Sequence, residues 1–130
     1  MNKPVIYLQR YEIDELSISR DFNESDLEEK EFSLSAKVGV TEDNANGAVQ
    51  LSVSLVDKEN KKKLSTTITG YFDVNIEKNI FDILYTNGTS ILYPYLRSIV
   101  SIVSAIDSSE AMLLPTINVL ELLNDSSSTD

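Results

Sequence analysis

Phe32-Ser33-Leu34-Ser35-Ala36-Lys37-Val38-Gly39-Val40 alternates apolar and polar residues without a break. Side chains of a β-strand point to opposite faces in turn, so a period of two marks a strand with one buried face. The pattern recurs downstream. Val49, Leu51, Val53 and Leu55 alternate with Gln50, Ser52 and Ser54. Leu64, Thr66, Ile68, Gly70, Phe72, Val74 and Ile76 alternate with Ser65, Thr67, Thr69, Tyr71 and Asp73. Turn formers separate the runs, Asn44-Ala45-Asn46-Gly47 and then Asp57-Lys58-Glu59-Asn60-Lys61. Connections this short join antiparallel neighbours, and the sequence predicts a meander.

Upstream, the first segment is also extended, but its phase changes. Val5, Tyr7, Tyr11 and Ile13 share one parity, while Leu16 and Ile18 sit on the other. A slip of one residue flips a strand's faces, so the change predicts a bulge near Asp14-Glu15. Asp21 to Glu31 then reads as an acidic loop crossing to the next strand.

Downstream the period lengthens. Ile80, Phe81, Ile83 and Leu84 suggest one or two helical turns. Thr86-Asn87-Gly88-Thr89-Ser90 reads as a break with an N-cap. Ile91, Leu92, Tyr95, Ile99, Ile102, Val103 and Ile106 keep helical spacing. Proline is tolerated only in a first turn, so Pro94 predicts a helix starting between Ser90 and Tyr93. Leu96 and Val100 extend the apolar surface beyond one sheet contact, and Ser98, Ser101 and Ser104 form a small-residue strip beside them. That excess marks Leu96, Val100, Ser101 and Ser104 as candidates for a subunit interface. Leu120, Leu122 and Leu123 suggest a short final helix, and residues 124–130 a disordered polar tail. The order predicts one α+β domain over residues 1–123, a four-stranded antiparallel meander packed with one long helix and a short C-terminal helix.

Composition limits the chemistry. The 130 residues carry 21 acids and 11 bases, a net charge of −10, with no His and no Cys. There is no disulfide, no thiol nucleophile and no imidazole base or ligand. Neither a phosphate loop nor a metal-ligand spacing is present, and the sequence implies no cofactor and no catalytic site. The charge disfavours nucleic acid. Ile91 to Ile106 is shorter than the roughly 20 residues of a membrane span, and residues 1–10 lack a secretory pattern, so the expectation is a cytoplasmic chain with no membrane insertion. Lys61-Lys62-Lys63 reads as a protected hairpin or strand edge. The acidic run Asp26, Glu28, Glu29 and Glu31 reads as a solvated loop or a docking surface for a basic partner; nine of the 21 acids lie between Glu12 and Glu31.

Ser90-Ile91-Leu92-Tyr93-Pro94-Tyr95-Leu96-Arg97 resembles the helix-opening signature of the SecB export chaperones, roughly N-I-L-F-P-Y-A-R. Leu8-Gln9-Arg10-Tyr11 with Glu15-Leu16-Ser17, then Gly70-Tyr71-Phe72, then Leu114-Pro115 with Asn118 and Leu122, resemble further SecB segments in the same order, spanning about residues 5 to 123. The resemblance implies a homodimer or homotetramer that binds non-native polypeptides in apolar grooves without ATP, with SecA as a candidate partner. Glu15 keeps in kind an acid that SecB uses for docking SecA. The second such position falls near Ser65, which is not acidic, and Ile117-Asn118-Val119 replaces an Asn-Phe-Asp motif.

Two functions follow from the resemblance. One is an ATP-independent chaperone, with Tyr11, Phe22, Ile91 and Tyr95 as groove candidates and Glu15, Asp26, Glu28 and Glu29 as docking candidates. The other is a diverged SecB-fold adaptor or antitoxin-associated protein that binds one specific partner.

Overall fold

The computed structural model describes residues 4–107 together with Met112, Leu114, Leu120 and Leu123. Four strands form one antiparallel sheet: β1 (Ile6–Ser19), β2 (Phe32–Val40), β3 (Asn46–Asp57) and β4 (Lys62–Val74). The α+β architecture expected from the strand patterns is present. Its spatial order is β1-β4-β3-β2, so β2, β3 and β4 form the expected meander while β1 pairs with β4. The difference from a simple four-strand meander comes from the long connection after β1, which carries the chain to the opposite edge. Lys62 and Lys63 therefore sit on an inner strand rather than at an edge.

Along the crossover, a short 3-10 turn (Glu24–Glu28) anchors the loop. Asp26 accepts the amide hydrogen of Asn23 at 2.8 Å and pairs with the Lys63 ammonium at 3.1 Å.

β1 carries two irregularities, at Gln9 and at Asp14. The second is the bulge that the change of phase predicts. The first has no such signal, and it corrects the position of Tyr7. Tyr7 pairs with Asp73 on the outer face of the sheet, whereas Tyr11 pairs with Gly70 on the helix side. Together the two bulges place Ile6, Leu8, Tyr11, Ile13, Leu16 and Ile18 opposite Val74, Phe72, Gly70, Ile68, Thr66 and Leu64, all on the helix side.

The expected helix break at Thr86 to Ser90 is absent. One helical segment runs through α1 (Ile80–Ile83), a π-turn (Leu84–Gly88) and α2 (Thr89–Asp107), with Pro94 inside α2. Two of the three hydroxyls in that stretch bond within the helix instead. Thr86 donates to the Asp82 carbonyl at 2.7 Å and Ser90 to the Thr86 carbonyl at 2.9 Å. Gly88 serves close packing, since a Cβ there would stand 2.9 Å from Val49 Cγ2. From Ile80 to Ile106 this helix is long and apolar enough to cross a membrane by length and composition alone, which corrects the shorter span expected from Ile91. Here, however, its Leu84, Leu92, Leu96 and Val100 are buried in the same core as Val49, Leu51, Ile68 and Phe72.

Buried positions on the helix recur at every fourth residue: Ile80, Leu84, Gly88, Leu92, Leu96, Val100 and Ser104. A row with that spacing is inclined to the helix axis, so the helix crosses the sheet obliquely. Leu84 sits over Gly47, Leu92 over Gly70 and Leu8, and Tyr95 reaches Tyr11 on β1. Burial of each large aliphatic side chain in this core contributes about 1.5–3 kcal/mol. Leu120 and Leu123 are helical, and Leu123 lies in the core, but most of the expected final helix and all of residues 124–130 lie outside the described residues.

Candidate functional site

The oblique helix leaves part of the helix-side face of β1 uncovered. Ile6 is buried at one end of the strand, but Tyr11, Ile13 and Leu16 remain 38%, 48% and 39% exposed. On α2 the sheet-facing row leaves a second apolar row on its flank. Ile91, Tyr95, Ile102 and Ile106 follow one another at helical spacing and all are exposed, Ile106 to 80%. The two rows meet where the rings of Tyr11 and Tyr95 pack with centroids 5.0 Å apart and planes tilted by 39°. Aromatic pairs in such geometry contribute about 0.5–1.5 kcal/mol beyond area burial. Seven large apolar side chains on two adjoining elements form a surface of the kind that marks an interaction site.

Three of the four groove candidates, Tyr11, Ile91 and Tyr95, belong to this surface. Phe22 does not join the tyrosine pair; it is half-buried in the crossover loop. Ile13, Leu16, Ile102 and Ile106 are the members that the sequence reading missed. The signal for the last two was available, since they continue the helical face of Ile91 and Tyr95.

The subunit-interface candidates need correction. Leu96, Val100 and Ser104 are fully buried within the chain, and Ser101 is half-buried. Leu96 and Val100 are core, and the Ser104 hydroxyl accepts the Met112 amide hydrogen at 2.6 Å. The spare apolar face of α2 is the opposite flank.

The outer face of the sheet is polar. Glu12, Asp14 and Glu15 all stand there on β1. The Asp14 carboxylate accepts hydrogen bonds from Thr69 and, at 3.5 Å, from Gln50. Arg10 lies 4.1 Å over the Tyr71 ring and pairs with Glu12, which also accepts the Tyr71 hydroxyl. Glu15, Glu28 and Glu29 are exposed, as a docking role requires. Asp26 is instead 5% exposed and engaged inside the chain. The Asn23 amide, then the Lys63 ammonium, hold its carboxyl below the usual carboxylate range against the opposing effect of burial. Among the described residues no group of acids is arranged to hold a metal ion.

This architecture is similar to that of solved proteins. One is the SecB-like chaperone Rv1957 of Mycobacterium tuberculosis, in complex with a ChAD peptide from the HigA1 antitoxin, with a TM-score of 0.68 and 13% identity over 86% of this chain and 87% of that one. Another is a protein of unknown function from Streptococcus agalactiae, with a TM-score of 0.58 and 9% identity over 85% of this chain and 96% of that one. No protein-family model and no curated protein matches the sequence. The strand order, the long helix crossing the sheet and the likeness in three dimensions agree: this chain has the SecB-like fold.

Proposed function

We propose that the protein binds apolar segments of other polypeptides and acts as an ATP-independent chaperone. The observation that carries this reading is the pair of exposed apolar rows, Tyr11, Ile13 and Leu16 on β1 and Ile91, Tyr95, Ile102 and Ile106 on α2, which meet at the Tyr11–Tyr95 contact. Such a surface excludes water from apolar side chains of a partner without chemistry, cofactor or nucleotide. Suppression of aggregation of an unfolded test protein, followed by light scattering, tests it. The wild type protects at stoichiometric ratio, and Tyr95→Asp, which sets a charge in the centre of the surface, loses that protection. Equal scattering with and without the wild-type protein would refute the reading.

A second reading is favoured by the antitoxin peptide bound to the mycobacterial SecB-like chaperone. In that reading the same surface serves one dedicated partner. An unbiased pull-down from the native host separates the two, yielding many clients or one. Self-association and docking of SecA at Glu15 are further expectations of the resemblance to SecB. Sedimentation at micromolar concentration reads the first, and a SecA pull-down with Glu15→Lys reads the second.

A further inference from the structure

One apolar hollow interrupts the polar outer face of the sheet, near the turn between β2 and β3. Gly39 and Ala48 lie side by side there in the register, with Tyr71 and then Arg10 next in the same row. Two small residues beside a tyrosine leave a gap that larger side chains would fill, and a Cβ at Gly39 would meet nothing within 4 Å. Thr41 and Asn46 also line the hollow, which is mainly apolar and measures about 250 Å³. Tyr71 is held in place as one wall. The Arg10 guanidinium stands 4.1 Å from its ring centre, and its hydroxyl donates to Glu12 at 3.3 Å.

Size and charge define the occupant. Sites for whole small molecules run from roughly 300 to 1,000 Å³, so a smaller hollow open to solvent holds one ring rather than a whole ligand. Charges around it are engaged within the chain. Arg10 pairs with Glu12, Asp73 accepts from Gln9, and Asp43 accepts from Thr41 and from the Ala45 amide. Lys37 differs. It stands exposed on the same face two residues before Gly39, about 7 Å along the strand, and makes no ion pair among the described residues.

We infer that the hollow anchors one aromatic side chain of a partner protein, and that a carboxylate next to it in the partner's sequence meets Lys37. The ring packs against Tyr71 and covers Gly39 and Ala48, a contact of the kind that anchors protein interfaces. Lys37 makes the site selective for an acid in a chain whose net charge of −10 otherwise repels one. Side chains on the face of the sheet make the contact, without pairing to any strand. The apolar rows of β1 and α2 lie on the other face, so this is a second recognition surface and does not rest on the chaperone reading. A second copy is a poorer occupant. Its exposed aromatic–acid pair, Phe81-Asp82, lies on the helix, and seating it in the hollow would link copies head to tail rather than in the closed pairs that oligomers favour.

The test titrates the full-length, isotope-labelled protein with short Gly-Ser peptides carrying Phe-Glu, Ala-Glu or Phe-Lys at their centre, followed by amide NMR shifts. The Phe-Glu peptide moves the signals of Gly39, Thr41 and Ala48. Ala-Glu binds about tenfold more weakly. Phe-Lys binds about two- to fivefold more weakly, as one exposed charge pair allows. Gly39→Val fills the hollow at a site open enough to keep the fold, and removes the advantage of Phe-Glu over Ala-Glu. Lys37→Glu reverses the preference between Phe-Glu and Phe-Lys. Tyr95→Asp, on the other face, leaves all three affinities unchanged. Shifts that avoid Gly39 and Ala48, or unchanged selectivity in Gly39→Val or Lys37→Glu, would overturn the inference. So would loss of binding in Tyr95→Asp, which assigns the peptide to the apolar rows. Free phenylacetate binding as tightly as the Phe-Glu peptide would make the hollow a small-molecule site. Movement of the same signals on raising the protein concentration alone would give it to a second copy, and either result overturns the inference as well.

Discussion

β1 and β2 close the two sides of one sheet, yet they present opposite surfaces. β1 is long and twice bulged, with three carboxylates on its outer side and uncovered apolar side chains on its inner side. β2 is shorter and regular, with one lysine outside and, inside, Leu34 buried and Ala36, Val38 and Val40 half-buried. The difference shows how bulges trade an even edge for the placement of side chains. Each added residue re-aims side chains, so that six apolar groups share a face, at the cost of an even hydrogen-bonding edge. One edge strand is thereby irregular with a common apolar face, and the other pairs with its neighbour without a shift.

The largest test of this contrast sets one substitution at a glycine inside the sheet and at a glycine on its edge. A Cβ at Gly70 would stand 2.9 Å from Leu92 and 3.2 Å from Leu8, in the seam between α2 and β1. Gly70→Val is expected to destabilise by about 1–3 kcal/mol through overpacking. Gly39→Val changes stability by no more than about 0.5 kcal/mol, as for an unencumbered surface position. Denaturant unfolding of the two variants compares them directly, and equal losses would break the contrast.

Next in size is Thr89, on the helix that joins the two edges. Its hydroxyl is fully buried and has no hydrogen-bond partner among the described residues. Thr89→Val removes that orphan while keeping the shape, and is expected to stabilise by about 1 kcal/mol, seen as a raised melting temperature. A smaller effect sharpens the account of the β1 side. A double-mutant cycle of Tyr11→Ala and Tyr95→Ala should return a coupling of about 0.5–1.5 kcal/mol, and additive losses would mean that the rings do not support one another.

The smallest expected effect is a change of slope with pH. Asp26 titrates lower in the folded chain than in the unfolded one, so its contribution is present above the ordinary carboxylate range and is lost as pH falls through its lowered value. Asp26→Asn should flatten the acid limb of a plot of melting temperature against pH. The limb would stay unchanged if the Asn23 amide and Lys63 did not hold the charge.

Much of this was legible in the alternation of Phe32 to Val40 and its two successors, because a half-buried strand leaves a period of two. The bulge at Asp14 was legible for the same reason, since it separates Ile13 from Leu16 in phase. The irregularity at Gln9 was not, because tyrosine is amphipathic and Tyr7 fits either face. Thr86 to Ser90 misled because hydroxyls and glycine mark helix ends in sequence, and only the nearness of Val49 and Phe72 explains the glycine here. Leu96 and Val100 looked spare because α2 has two apolar flanks, and periodicity alone does not say which one meets the sheet. Asp26 was hidden among like charges, its partner Lys63 lying 37 residues away.

Those two flanks give the π-turn its importance. A π-turn holds one residue more than the α-helical turn it replaces, and a residue of α-helix corresponds to about 100° of rotation. Wound as ordinary α-helix, Leu84 to Gly88 would advance everything after it by about one position. Ile91, Tyr95, Ile99 and Val103 would then stand where Leu92, Leu96, Val100 and Ser104 now meet the sheet. Both sets are apolar enough to serve as a core. Five residues of altered winding decide which set becomes interior, and Ile91 and Tyr95 of the exposed apolar surface belong to the alternative core left outside.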